Sequence, residues 1–177
     1  MTITIHQLAI DTFVNMLGTL THLFDRATEH AAGRKYNVGD LVTARLAPDM
    51  FPFSTQVYLA CHHAKDGPER LMGHEPLAIE RFHENFEQLG ARVSATLDYL
   101  RAIPETAFDG AEQRMITITI NPERVFEMTG FQFLRDWTLP HFYFHVVTAY
   151  DILRAGGIEL GKRDYVRHLV PYLRAPK

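Results

Sequence analysis

Cysteine is nearly absent from this chain. Cys61 is the only one in 177 residues, so no intramolecular disulfide can form, and a reducing compartment fits. Long apolar runs are also lacking. No stretch approaches the ~18 uninterrupted apolar residues of a membrane span. Met1–Thr12 has no basic start, apolar stretch or small-residue cleavage site, so it does not read as a secretion signal. A soluble, cytoplasmic protein is expected. Positive charge is not in surplus either. Lys and Arg number 18 against 21 Asp and Glu, a net charge of -3, which argues against a phosphate-binding face and so against a nucleic-acid partner. Apolar residues at 46% suffice for one full core, and residues 1–177 read as a single domain.

What is present is mainly helical periodicity. From Ile5, the apolar residues Leu8, Phe13, Met16, Leu17, Leu20, Leu23 and Phe24 recur at helical spacing, predicting a long helix from about Thr4 to Gly33. Asp40 is a candidate cap for a short helical turn within Tyr36–Arg45. Pro48 and Pro52 mark a connector. A second helix is expected over Phe53–Met72, interrupted or kinked at Gly67-Pro68. A third is expected from Ile79 to about Leu100, with Phe82, Phe86, Leu89, Val93, Leu97 and Leu100 as its stripe. Then the period changes. Residues 115–120 alternate apolar and polar, and Val125-Phe126-Glu127-Met128 alternates again after Asn121-Pro122. This predicts a β-hairpin over about 114–128. The last long helix should start at Thr129 or Gly130 and end at Gly156-Gly157, with a kink or fresh start at Pro140. A tail follows over about 158–177. The fold class is therefore mainly α: an antiparallel four-helix bundle with a small β-hairpin inserted before the last long helix.

Ten histidines are many for this length. His141 and His145 stand apart because a spacing of four puts both imidazoles on one helix face, where they can share a divalent ion. A third ligand must come from another helix, and His62 and His63 lie midway along the second one. A bland reading stays open beside this one: the pair caps a packed aromatic cluster with Phe142, Tyr143 and Phe144.

The stretch from His141 to His145, continued by Leu153-Arg154 and closed by Gly156-Gly157, resembles the last bundle helix of the DinB/YfiT-like superfamily. That resemblance implies a third histidine on the second helix, matched here by His62 with His63 as the alternative register. It also implies a divalent ion such as nickel, zinc or iron, and thiol-dependent transfer. A closer resemblance covers nearly the whole chain. Ala44-Arg45-Leu46-Ala47-Pro48-Asp49-Met50-Phe51-Pro52, Phe108-Asp109-Gly110-Ala111-Glu112, Leu139-Pro140-His141-Phe142-Tyr143-Phe144-His145 and Leu160-Gly161-Lys162-Arg163-Asp164-Tyr165 are similar to the bacterial and fungal family DUF1993. Members of that family often carry Asn at the position of His141 and an acidic residue at that of His62, so this chain has the fuller histidine set.

Two kinds of function follow from these readings. One is an enzyme that holds one divalent ion on His62, His141 and His145, leaving open positions where a thiol or water is activated for transfer to a small-molecule electrophile. Arg45 and Tyr143 are then candidates for substrate binding. Arg45 has a competing reading as an ion pair with Asp49, and Tyr143 as a core or interface aromatic. The other is a non-catalytic helical module with a degenerate metal site that binds a small apolar ligand or a partner protein. A homodimer is expected for either. Cys61 beside His62 reads as a buried, inert thiol rather than half of a nucleophile pair.

Overall fold

A computed structural model describes residues 3–34, 36–80 and 83–174. Helix α1 spans Ile5–Ala32. Thr4 opens it with a capping box, accepting from the Gln7 backbone N–H while the Gln7 side chain returns to the Thr4 N–H. Its buried stripe runs from Ile5 and Ala9 through Phe13, Leu17 and Leu20 to Phe24 and Ala27, whereas Leu8 stays partly exposed. The short turn that follows is a 3-10 helix, Val38–Thr43. Its cap is Asn37, which accepts from the Gly39 N–H; Asp40 lies inside the turn.

Helix α2 is Phe53–Met72 and runs unbroken through Gly67 and Pro68. The expected interruption is absent: both residues are buried in the packed interior, Gly67 against Thr138 of the last helical rod. A Cβ on Gly67 would stand 2.5 Å from the Thr138 Cγ2, so the two helices meet here at a distance only glycine permits. Helix α3 is Phe86–Arg101, shorter than the periodicity suggests. Asn85 caps it in a capping box with Gln88. Ile79 is exposed, and Phe82 lies outside the described residues.

The chain needs the residues before Asn85 for travel. Contacts along α2 and α3 rise together: Arg92 lies over the Tyr58 ring, and Tyr99 bonds to Glu69. These two helices are therefore parallel, and the connection must return the length of α2. It does so against that helix, with the Leu77 N–H on Asp66 and the Glu80 N–H on the Tyr58 hydroxyl. The other neighbours alternate. Phe24 meets Phe86 while His6 meets Ile103, and Gln56 meets His145 while Gly67 meets Thr138. One crossover in an otherwise alternating bundle is a standard helical topology.

Strands β1 (Met115–Asn121) and β2 (Arg124–Thr129) form the expected antiparallel hairpin, pairing Ile116 with Met128 and Ile118 with Phe126. Ile116 and Ile118 turn into the core, which is how so small a sheet is held. Helix α4 (Gly130–Gln132) leads into a π-helical turn, Phe133–Thr138, and then into α5, Leu139–Ala155. Backbone angles stay right-handed helical at each junction, so the three form one rod. The irregularity predicted at Pro140 lies a turn earlier: the ladder widens at Phe133–Thr138, and Pro140 falls in the first turn of the resumed α-helix, where its missing N–H costs little. Helix α6 is Lys162–Tyr165, and a 3-10 turn, Arg167–Tyr172, follows. No helix among the described residues is long and apolar enough to cross a membrane.

Candidate metal centre

α2 and α5 face each other antiparallel, and three histidines, His63, His141 and His145, meet at their contact. The α2 positions turned to α5 are Gln56, Ala60, His63 and Gly67, spaced three or four apart. His63 is thus in the seam, and His62 is a quarter-turn off it. The His63 ring centre is 5.2 Å from that of His141 and 5.5 Å from that of His145. His62 instead lies along the Tyr58 ring, at 6.2 Å. Of the two registers, the structure brings His63 beside the α5 pair.

Each α5 imidazole is anchored at one nitrogen. The His141 Nδ1 is 2.6 Å from the Trp137 carbonyl, which can only accept, so this nitrogen carries the proton. The His145 Nδ1 is 2.8 Å from the Gln56 Oε1. The Gln56 amide is itself oriented, because its Nε2 donates to the Phe51 carbonyl at 3.1 Å. In both rings Nε2 is left with its lone pair free. This is the arrangement that metal-ligating histidines adopt, with an oxygen acceptor fixing tautomer and ring angle.

The electrostatics favour the same state. Burial, and secondarily the neighbouring His145, His141 and His62, pulls the His63 pKa down to about 3. Burial and the neighbouring His141 pull His145 down to about 4. Both rings are neutral at pH 7, the protonation state a metal requires. Two imidazoles sharing one tetrahedral ion stand roughly 5 Å apart between ring centres, given ~2.0–2.1 Å metal–nitrogen bonds. The His63–His141 and His63–His145 pairs have that spacing. Among the described residues, however, no group of three His, Cys, Asp or Glu side chains is arranged to hold a metal ion.

The remaining candidates lie elsewhere. Arg45 is exposed and donates to the Pro48 carbonyl across its own connector; among the described residues it makes no ion pair with Asp49 and no bond to the histidines. Tyr143 packs edge-on against Phe142, and its electrostatic neighbour is Tyr165, away from the cluster. Cys61 is buried, and burial pushes its thiol up to about 12, so it is not a nucleophile at neutral pH. Iodoacetamide should leave the native protein unlabelled at mildly alkaline pH and modify one site per chain in urea. Mass spectrometry reads both results, and rapid native labelling would refute the buried thiol.

Sequence reasoning missed Gln56 and the Trp137 carbonyl. Gln56 left a signal: it precedes His63 by two helical turns on the same stripe. A backbone carbonyl leaves none.

Comparison with known proteins agrees with this architecture. A solved structure titled as a DinB family member protein from Shewanella denitrificans superposes with a TM-score of 0.83 at 33% identity, covering 97% of this chain and 95% of that one. The fold is therefore that of a DinB-like helical bundle. The family model for DUF1993, a domain of unknown function, matches residues 5–166, and the chain belongs to that family. No curated protein matches the chain.

Proposed function

We propose that this protein is a divalent-metal-dependent enzyme whose ion, nickel, zinc or iron, is held by His63, His141 and His145. The observation that carries the reading is the pair of anchored α5 imidazoles, each with Nδ1–H on an oxygen acceptor, beside the His63 imidazole from α2. When bound at three protein ligands, such an ion keeps open positions in which a water or thiol loses its proton near neutral pH. The chain's own contribution is to hold His63 and His145 neutral, fix the tautomers of the α5 pair through Gln56 and the Trp137 carbonyl, and exclude solvent on the core side, where His145 is 7% exposed. The expected reaction is transfer of the activated thiol or water to a small-molecule electrophile.

Elemental analysis of protein purified without a histidine tag tests the site. About one tightly held ion per chain is expected, one being the number three imidazoles can share. The content should vanish in His63→Ala, His141→Ala and His145→Ala and persist in His62→Ala, with helicity retained throughout. A folded, metal-free wild type would refute the proposal.

The same purification addresses a second reading, a dimeric module without catalysis. It is favoured by the outer face of α5, where Tyr143, Phe144 and Val147 are exposed together. A dimeric but metal-free protein would support that reading instead.

A further inference from the structure

On the other side of the bundle, a groove of about 430 Å³ separates α1 from the 3-10 turn Arg167–Tyr172. None of His62, His63, His141 and His145 lines it. Two guanidinium groups border it, Arg101 from the last turn of α3 and Arg167 from the 3-10 turn. Neither charge is well neutralised. Among the described residues Arg101 approaches Asp98 alone, at 3.7 Å, and both of those side chains are largely in solvent. Arg167 donates to the Nδ1 of His22 at 2.5 Å, and the Nε2 of His22 faces Asp164 at 2.9 Å. With its proton on Nε2, His22 is a neutral acceptor for Arg167. It aims the guanidinium without cancelling its charge. Among the described residues Arg167 has no carboxylate partner. Beside it, the Nδ1 of His168 is buried without a hydrogen-bond partner among the described residues.

The floor of the groove is Gly18, midway along α1. Glycine weakens a helix interior, and packing does not require it here, since an added Cβ would meet nothing within 4 Å. Its absent side chain leaves the groove open. Val14, Val170 and Pro171 supply an apolar wall beside the charges.

We propose that this groove binds a small amphipathic organic anion. Its carboxylate or phosphate head is held by Arg101 and Arg167, and its short hydrocarbon body lies over Gly18 along Val14, Val170 and Pro171. Guanidinium groups suit either head group, because both present oxygens to a planar fork.

Isothermal titration of the full chain with hexanoate, hexyl phosphate, inorganic phosphate and hexanol tests this. Saturable binding of at least one hexyl anion is expected, with inorganic phosphate weaker and hexanol inert; the ratio of the two hexyl anions identifies the head group. Arg101→Gln and Arg167→Gln should each weaken binding about tenfold or more, the loss of a charge-assisted hydrogen bond. Gly18→Leu should abolish binding while circular dichroism shows an intact helical fold. No saturable heat from either hexyl anion would overturn the proposal, as would equal affinity for inorganic and hexyl phosphate. Undiminished binding in both the arginine variants and a folded Gly18→Leu protein would also overturn it.

Discussion

Replacing Gln56 by Leu should weaken metal binding by roughly 10–100-fold with all three histidines still in place, the usual cost of losing the outer partner of a ligating imidazole. Gln56 is fully buried, and its amide oxygen is the acceptor that holds the His145 Nδ1–H. Leucine offers no acceptor, so the His145 ring loses its fixed angle and keeps an unpaired buried N–H. That orphan should also cost about 1–3 kcal/mol of folding stability. Gln56→Glu restores an acceptor at the same reach and should recover most of the metal affinity. Competition with a chromophoric chelator measures the first effect, and urea denaturation of the metal-free protein measures the second. Equal affinity in wild type and Gln56→Leu would show that Gln56 does not position the ligand.

Phe142→Ala should be the most damaging single truncation on α5, costing about 3–5 kcal/mol. Phe142 lies between the two paired histidines in sequence but points the other way. It has no exposed surface and meets the Phe13 ring edge-on at 4.9 Å, joining α5 to α1. A loss of that size is a large share of the ~5–15 kcal/mol that holds a typical domain together. The comparison residue is Phe144, 58% exposed, whose truncation should change stability by no more than about 0.5 kcal/mol in the monomer. Urea midpoints for the two variants, at unchanged slope, give the contrast directly. A Phe142→Ala loss below about 1 kcal/mol would mean the aromatic pair is not a principal tie in the core.

Much of this bundle is legible in the residues, for identifiable reasons. The stripe of α1 and the cap at Thr4 are local signals, as are the alternation of β1 and the glycines that close α5. What escaped depends on partners distant in sequence. Periodicity alone carried α3 back to Ile79, because nothing in that segment announces that it must span the bundle beside α2. Gly67-Pro68 looks like a breaker until Thr138 is seen packed against it. The register of the α2 histidines was also underdetermined: adjacent residues differ by a quarter-turn, and only the position of α5 selects His63. Asp40 and Asn37 are comparable caps by type, and the turn's actual start decides between them. The direction of α3 was hidden for a similar reason. Helix polarity follows from where the connection goes, and an extended connection has no periodicity to read.

The contact between Gly67 and Thr138 bears on more than the packing of two helices. Gly67 lies one turn beyond His63 on α2, and Thr138 lies about one turn before His141 on α5. This close approach of the two rods therefore sits next to the imidazoles, which belong to different rods. It works as a caliper: the gap across which an ion would be shared is set by a residue with no side chain, not by the ligands. A homologous bundle with a bulkier spacer would then suit a larger guest. Alanine or serine there would part the two rods and carry His63 away from His141 and His145, with every histidine unchanged in the sequence.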